Sequence, residues 1–265
     1  MTTQTPAPAT TRRQNESDIG FAPDGRPLTD LELIERVKTS SPCGDTILLS
    51  FSMGKDSLAM WLYLRGHFNV IPYFLYWVPH LSFVDAALAY YEDWFGQEII
   101  KLPHPLFYQL LRTYAYQEPH ALALLAAMDL TDFDFAFIDD AIAAYEGLDA
   151  PFCAIGMRAA DNIDRRNLIY QQGSVGVKKR RYYYPIWDWT VDQVSRIIID
   201  NRLKIPADYK HWGRTLAAFD YQYLKPLREA FPADYERIRE WFPLIDAEFF
   251  RYERMAKWSE YAAKN

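Results

Sequence analysis

Residues 46–64 have the sequence TILLSFSMGKDSLAMWLYL, in which a change of apolar pattern decides the fold. The first six residues, TILLSF, form a short apolar run, which is typical of a strand buried on both faces of a sheet. Residues 58–64, LAMWLYL, are apolar nearly all round, which indicates a helix packed between a sheet and other elements. The glycine turn SMGKDS at residues 52–57 therefore joins a buried strand to a buried helix.

The flanking sequence continues this alternation of strand and helix. We predict a second strand at residues 70–78, a helix at 83–95 and a short strand at 98–101. The later predicted elements are helical segments at 106–146, strands at 151–155 and 182–186, and a helix at 191–203. Because such alternation argues for a parallel sheet, the sequence predicts an α/β protein with a doubly wound, mainly parallel sheet.

Composition divides the chain into three parts. Residues 1–28 are rich in Thr and Pro and poor in large apolar side chains, which favours a mobile arm. Thr29 and Glu32 then match a capping box, so we expect a first helix to begin there. We predict an α/β domain at residues 29–210 and a C-terminal helical extension, rich in Trp and Phe, at 211–265.

The overall composition excludes several classes of protein. The chain has 265 residues, a net charge of −6, 50% hydrophobic residues and two cysteines. Cys43 and Cys153 are too far apart for a CxxC metal motif, and we expect both to be small buried side chains. The longest apolar run, at 70–79, is shorter than the roughly 20 residues of a membrane-spanning helix. The N-terminus has no apolar secretion signal, so we expect a cytoplasmic protein without a membrane partner.

The glycine turn after the first strand has the composition of an anion-binding loop. We expect Gly54 to adopt a positive φ and to let the backbone approach a ligand. We expect Ser57 to begin the helix, whose free N–H groups and dipole favour an anion. Lys55 and the hydroxyl groups of Ser52 and Ser57 would add donors, while Asp56 could cap the helix or hold Mg²⁺. The alternative is an ordinary glycine turn with a solvated Lys–Asp pair.

Positive charge is concentrated between Arg158 and Arg181, where seven Lys or Arg residues accompany two Asp. Arg158 and Arg165 could hold phosphate groups through two parallel hydrogen bonds each. The KKRR run at 178–181 could be a solvated face, line the entrance of a second substrate or bind nucleic acid. Because the segment is polar and contains two glycines, we expect a mobile lid that closes over a bound nucleotide.

Three motifs occur in the order found in one known superfamily. SMGKDS at 52–57 resembles the SxGKDS PP-loop of the adenine nucleotide alpha-hydrolases, which include ATP pyrophosphatases and phosphoadenosine phosphosulfate (PAPS) reductases. GMR at 156–158, followed by Arg165, is similar to the arginine loop of the PAPS reductase branch, which clamps phosphate or sulfate groups. YPIWDWT at 184–190 resembles the PIxDWT segment of that branch. The resemblance covers residues 46–205 and implies the fold of that superfamily.

The resemblance implies a bound adenine nucleotide, ATP or PAPS, together with Mg²⁺. It implies that Lys55, Asp56, Arg158 and Arg165 are catalytic and that Asp56 holds the metal ion. It places an adenine-binding wall at Tyr76 and Trp77, although these rings could equally well only pack the sheet. The implied nucleotide-binding residues are Ser52, Met53, Gly54, Lys55, Asp56, Ser57, Tyr76, Trp77, Gly156 and Arg158.

Two departures from the resembling family bear on the expected activity. A PAPS reductase uses a cysteine near its C-terminus as nucleophile, and no cysteine follows Cys153 in this chain. The serine of the family's arginine loop is replaced by Asp161 or Asn162. In the resembling ATP pyrophosphatases the loop holds the β,γ-pyrophosphate while an acceptor attacks the α-phosphorus, so no protein nucleophile is needed.

We therefore expect an adenylating ATP pyrophosphatase that cleaves ATP to AMP and pyrophosphate. The resemblance connects it with sulfur metabolism, and the unidentified acceptor could be a nucleic acid or a sulfur carrier. Two alternatives stay open at this point. One is thioredoxin-dependent reduction of PAPS to sulfite through Cys153 or a partner's thiol, and the other is a non-catalytic nucleotide-binding regulator. The sequence also leaves open whether the protein forms a homodimer.

Overall fold

The computed structural model describes residues 19–177, 180–206, 209–213 and 219–264, without the side chains of 210, 211 and 256–264. Six strands in this part of the chain form one sheet in the order β3-β2-β1-β4-β6-β5. They are β1 Thr46–Ser50, β2 Asn69–Tyr76, β3 Ile100–Pro103, β4 Cys153–Ile155, β5 Val175–Val177 and β6 Arg181–Tyr183. Every pairing is parallel except that of β5 with β6. The predicted α/β class with a mainly parallel sheet is confirmed.

Helices fill both the connections and the C-terminal part of the chain. The first six are α1 Asp30–Ser40, α2 Lys55–Leu64, α3 Ser82–Phe95, α4 Pro105–Arg112, α5 Leu122–Ala127 and α6 Phe135–Glu146. The later ones are α7 Ile163–Gln172, α8 Val191–Asp200, α9 Tyr209–Trp212, α10 Tyr221–Ala230, α11 Pro232–Trp241 and α12 Ala247–Lys264. The capping boxes predicted at the starts of α1 and α8 are both present. No helix in the described ranges is long and apolar enough to cross a membrane.

The strand order reverses direction next to β1. The chain runs outward from β1 through β2 to β3, and then returns to place β4 on the other side of β1. Leu48 of β1 lies in register with Ile71 of β2 and with Cys153 of β4. Such a switch point leaves a crevice beyond the carboxyl ends of the two strands. The glycine turn follows β1 at this point, and the GMR segment follows β4.

Alternate residues of β1 belong to two buried layers on opposite faces of the sheet. Ile47 and Leu49 lie in a large cluster with Leu58 and Trp61 of α2. Leu48 lies in a second cluster, with residues of β2, β4 and α6. A strand that is apolar on both faces is thereby covered on both, as its sequence predicts.

Both ends of the described chain pack on the central domain. Leu227, Tyr235 and Phe242 from the C-terminal helices are buried in the same cluster as β1 and α2. Near the other end, Leu28 is buried and its carbonyl oxygen accepts a hydrogen bond from the Trp187 side chain at 2.7 Å. Residues 19–28, which we expected to belong to a mobile arm, thus contact the core, whereas 1–18 lie outside the described residues. The division into three domains stays a prediction.

The expected lid is wrong for residues 163–177. This stretch contains α7 and β5, which pairs with β6 as an antiparallel hairpin. Ile169 and Val175 are fully buried, and Gly173, with φ 82°, brings the hairpin against the backbone of Gly20. A few apolar contacts with distant parts of the chain therefore pack this polar segment against the rest of the protein. Lys178 and Lys179 lie outside the described residues.

Candidate functional site

The glycine turn adopts a different backbone conformation from the one expected. Met53 has the positive φ, 59°, whereas Gly54 has φ −67° and caps α2 from an extended conformation. The helix begins at Lys55 and not at Ser57. Consequently the backbone N–H groups of Lys55, Asp56 and Ser57 are those of the first turn, the groups that an α-helix leaves without an intrahelical partner. The turn therefore presents three donors at the positive end of a helix dipole.

Serine hydroxyl groups hold the turn in shape. Ser57 is buried, and its Oγ donates to the carbonyl oxygen of Gly54 at 2.9 Å. The backbone N–H of Ser52 donates to the Ser57 Oγ at 3.3 Å, and the two hydroxyl oxygens are 3.2 Å apart. The Ser57 hydroxyl, predicted to donate to a phosphate, thus makes its hydrogen bonds within the turn, whereas Ser52 is exposed.

The end of β4 approaches the start of α2 closely at Gly156. A Cβ at Gly156 would lie 3.2 Å from the backbone nitrogen of Ser57 and 3.3 Å from the carbonyl carbon of Asp56. These contacts are tighter than ordinary van der Waals distances. Gly156 therefore allows the arginine loop after β4 to lie directly against the glycine turn.

Charged side chains from the two loops form one cluster. The Lys55 Nζ is 2.7 Å from one carboxylate oxygen of Asp56, and the Arg158 Nε is 2.7 Å from the other. Arg158 also donates through Nη2 to Asp161 at 2.7 Å, and Asp161 contacts Arg165 through its second oxygen. The four residues predicted to be catalytic are thus brought together, with Asp161 added between the arginines.

One contact in this cluster is close but poorly aligned. The Arg158 Nε and the Asp56 Oδ1 are buried, and neither has a hydrogen-bond partner among the described residues although they are 2.7 Å apart. The side chain of Arg158 is only 3% exposed. The two charged groups therefore form a buried ion pair that lacks the alignment of a hydrogen bond.

Asp56 is the residue of this cluster that was predicted to hold Mg²⁺. Mg²⁺ in nucleotide sites is commonly held by one or two carboxylates together with phosphate oxygens and water. The carboxylate of Asp56 has the chemistry of such a ligand, and in this structure its two oxygens lie 2.7 Å from Arg158 Nε and from Lys55 Nζ. Within the described ranges there is no group of three or more His, Cys, Asp or Glu side chains that could hold a metal by itself. Asp56 would therefore hold a metal ion only together with a phosphate, and in exchange for its contact with Lys55 or Arg158.

A cavity of about 300 Å³ lies beyond the ends of β1 and β2. Its wall includes Ser52, Met53, Tyr76, Trp77, His104 and Phe135. The cavity thus combines part of the glycine turn with the two rings predicted as an adenine-binding wall. Phe135 and His104 were not predicted as site residues.

His104 is stacked on Trp77, with ring centroids 5.0 Å apart and planes 17° from parallel. Its Nδ1 accepts a hydrogen bond from the backbone N–H of Leu106 at 3.1 Å, which caps α4. Burial lowers the pKa of His104 below its ordinary value of 6.5. The ring is therefore neutral at pH 7, and because Nδ1 accepts, we assign the proton to Nε2.

A tyrosine from the C-terminal part of the chain also reaches the turn. The hydroxyl oxygen of Tyr209, in the short helix α9, accepts a hydrogen bond from the backbone N–H of Lys55 at 2.9 Å. That N–H is the first of the three helix-terminal donors described above. Tyr209 could not be found from sequence spacing, because it lies 154 positions from Lys55.

Cys153 lies away from this cluster, within a buried polar network. It is 0% exposed, and burial raises the pKa of its thiol to about 12. Its sulfur is 3.4 Å from the Tyr73 hydroxyl and accepts from Arg180 at 3.1 Å. Arg180 also forms a close ion pair with Asp139. Cys153 is thus buried, as predicted, whereas Cys43 is only half-buried.

Arg180 and Arg181, the described half of the KKRR run, both contact other parts of the chain. Arg180 is held by the buried Asp139, and its side chain is 15% exposed, so the expectation of a solvated face is wrong for this residue. The guanidinium of Arg181 lies 5.6 Å from the centroid of the Phe152 ring. Neither contact is visible in the local sequence, where only the positive charges stand out.

The third motif packs on the second. The backbone N–H of Ala159 donates to the carbonyl oxygen of Trp187 at 2.8 Å, and Arg158 Nη1 donates to that of Trp189 at 3.4 Å. The arginine loop in turn lies on the glycine turn through Gly156 and Arg158. The three motifs that carry the family resemblance are therefore in contact at the switch point of the sheet.

Neither a family model nor a curated protein matches the chain. Among solved structures, it is similar to the U34-tRNA thiolase NcsA from Methanococcus maripaludis, a structure that contains a 4Fe-4S cluster. The TM-score is 0.43 and the sequence identity is 15%, over 82% of this chain and 78% of that chain.

Proposed function

We propose that this protein is an ATP-binding enzyme that transfers the adenylyl group of ATP to an acceptor and releases pyrophosphate. The observation that carries this proposal is the continuity of two parts of the site. Ser52 and Met53 belong both to the turn with helix-terminal N–H donors and to the cavity lined by aromatic rings. An adenine nucleotide has the matching composition, a planar base joined to a chain of phosphates.

The cavity would hold the adenine base. Its aromatic side chains suit stacking against a flat ring, which is favourable in offset or edge-to-face geometry. The stacked pair of Trp77 and His104 forms one side. A neutral imidazole has one N–H donor, which in His104 we assign to Nε2. This group would donate a hydrogen bond to a nitrogen of the adenine ring. These contacts would position the base and so fix the direction of the phosphate chain.

The glycine turn would hold the β- and γ-phosphates. Backbone N–H groups at the start of α2 and the side chain of Lys55 supply donors, and the buried guanidinium of Arg158 adds positive charge. In the proposed step a nucleophilic atom of the acceptor forms a bond to the α-phosphorus while the bond from that phosphorus to the bridging oxygen breaks. The electron pair leaves with pyrophosphate, whose developing charge Lys55 and Arg158 stabilise.

Asp56 would hold Mg²⁺ together with phosphate oxygens. When bound, that ion supplies positive charge against the phosphate chain. Arg158 would add to this charge, since its buried guanidinium contacts the same carboxylate. Asp56 therefore has two roles in the proposal, orienting Arg158 and completing a metal site.

PAPS reduction through Cys153 is the less favoured alternative. A nucleophilic thiol must be ionised and accessible, and Cys153 is fully buried with a raised pKa. The network around it uses the sulfur as a hydrogen-bond partner of Arg180. Reduction of PAPS would then require a thiol from a partner protein, whereas transfer of an adenylyl group requires no thiol.

Product analysis tests the proposal. In a reaction with ATP and Mg²⁺ in which water takes the place of the acceptor, hydrolysis should produce AMP and pyrophosphate in equal amounts, separated by anion-exchange chromatography. Formation of ADP and phosphate would contradict cleavage at the α-phosphorus. Sulfite released from PAPS in the presence of thioredoxin would establish the reductase instead. Tight nucleotide binding with neither product would point to a non-catalytic regulator.

A further inference from the structure

Arg180 connects a buried polar network to the wall of the cavity beyond the ends of β1 and β2. Its Nε forms a close ion pair with Asp139, and its Nη2 donates to the Tyr73 hydroxyl at 2.8 Å and to the Cys153 sulfur at 3.1 Å. The same guanidinium lies 5.5 Å from the centroid of the Phe135 ring. Phe135 lines the cavity. One side chain therefore contacts both the interior of the protein and the cavity wall.

The network fixes the position of this guanidinium. Its three partners belong to three different elements, since Tyr73 lies in β2, Cys153 in β4 and Asp139 in α6. The side chains of Arg180 and Asp139 are only 15% and 8% exposed. The N–H groups of a guanidinium have fixed directions, so a rotation of Arg180 would break charged contacts in a buried place. Arg180 is thus a cation held at one point behind the cavity.

Phe135 is much less constrained than the cation beside it. It is the first residue of α6 and is 41% exposed. Its ring lies edge-to-face on His104, with centroids 5.6 Å apart and planes at 85°. A half-exposed side chain can adopt more than one rotamer, and a cation within about 6 Å of a ring attracts its face. Arg180 therefore favours the orientation of Phe135 in which the ring forms part of the wall.

We infer that Arg180 is a positioning residue, which holds the Phe135 ring in place for contact with the base of the nucleotide. The inference rests on the proposed function for placing the base in this cavity. Asp139 balances the charge of Arg180, so the pair adds little net charge for the phosphates. The effect of Arg180 on binding is consequently exerted through the ring, whose fixed orientation lowers the entropy lost when the base stacks on it.

Two ligands that differ by the nucleoside test this role. ATP and tripolyphosphate are titrated into the full chain by calorimetry. The glycine turn could bind both, whereas only ATP brings a base to the cavity. In Asp139→Asn/Arg180→Gln two neutral amides replace the ion pair, so no buried charge is left unpaired. We expect its affinity for ATP, relative to that for tripolyphosphate, to fall about threefold to tenfold.

Two further variants separate the ring contact from general stability. Arg180→Lys keeps a positive charge for Asp139 but loses the planar fork, and should lower the ratio in the same direction. Phe135→Leu removes the ring and should also lower it. Adding Phe135→Leu to Asp139→Asn/Arg180→Gln should cause little further loss, because both changes act on one contact.

Arg228→Gln is the matched control. The guanidinium of Arg228, in α10, lies 4.0 Å from the centroid of the Phe249 ring. This variant therefore also removes a cation from an aromatic ring, but one that does not line the cavity. The ratio of the two affinities should stay at the wild-type value.

Three results would overturn the inference. One is an unchanged ratio in Phe135→Leu, which would mean that the ring does not contact the base. Another is a folded Arg180 variant with an unchanged ratio. The third is a further loss when the Arg180 and Phe135 changes are combined, as large as in the wild-type background. Products are analysed separately: bound ATP that is not cleaved to AMP and pyrophosphate would contradict the proposed function, while a shifted ratio would still support the role of Arg180.

Discussion

The Tyr209 hydroxyl accepts a hydrogen bond from the backbone N–H of Lys55 at 2.9 Å. Lys55 is the first residue of α2, so this N–H is one of the donors that an anion at the helix start would use. The hydroxyl oxygen therefore occupies the position that a phosphate oxygen takes in the proposed complex. Binding of a nucleotide would have to replace this contact.

Removing the hydroxyl group should make nucleotide binding easier. Tyr209→Phe eliminates the competing acceptor, so we expect ATP affinity, measured by calorimetry, to rise roughly 3- to 10-fold, the worth of one modest hydrogen bond. Tyr145→Phe, at a side chain that is 84% exposed, is the control and should have no effect. A loss of affinity in Tyr209→Phe would mean that the hydroxyl contacts the bound nucleotide and does not give way to it.

A side chain at Gly156 should separate the two loops of the site. In Gly156→Ala the new Cβ would lie 3.2 Å from the Ser57 nitrogen, and the surrounding elements must move apart. We expect the free energy of unfolding to fall by about 1–3 kcal/mol, as for other overpacked sites, with weaker ATP binding. Gly66→Ala, where the nearest contact would be 3.7 Å, should change neither quantity. Equal stability of the two variants in urea would contradict the close approach.

The pKa of His104 predicts a pH dependence of stability. Burial holds it below the ordinary value of 6.5 in the folded protein, so in acid the unfolded chain takes up the proton first. The corresponding stability is present above pH 6.5 and is lost as the pH falls towards the folded pKa. His104→Gln should therefore show a shallower decrease in stability between pH 7 and 5. His120→Gln, at an exposed histidine, is the control; identical slopes in all three proteins would contradict the buried, neutral ring.

Sequence reasoning succeeded where the chain is apolar on a regular pattern. The middle of the strand at 46–50 and most of the helix after it are buried, so their apolar residues indicate the same environment. The capping boxes at Thr29 and Thr190 are local, with both partners within three residues. Such features depend on neighbours in sequence and can be read there.

It failed where a distant contact decides the structure. The third strand begins at Ile100, two residues later than predicted, and its carboxyl end brings His104 beside Trp77, which follows the neighbouring strand. Arg180 looks like part of a solvated basic run, but Asp139, 41 positions earlier, holds it as a buried partner. Counting the charges in a segment does not show which side chain each of them contacts.

Cys153 should be dispensable for activity. Cys153→Ser offers a hydroxyl to Arg180 and Tyr73, which contact the sulfur, so we expect a loss of stability below about 2 kcal/mol and unchanged ATP affinity. The product ratio from ATP should also be unchanged. A folded Cys153→Ser protein that has lost activity would show that the thiol takes part in the chemistry.

Calorimetric titration of ATP into Lys55→Met decides whether the turn at residues 52–57 holds the phosphate chain of ATP. This variant keeps the length of the side chain and removes the charge beside Asp56. Lys225→Met, at an exposed lysine of α10, is the matched control. We expect Lys55→Met to weaken ATP binding at least about tenfold, the worth of a charged hydrogen bond, while the control binds like the wild type. A folded Lys55→Met protein that binds ATP as tightly as the wild type would contradict it.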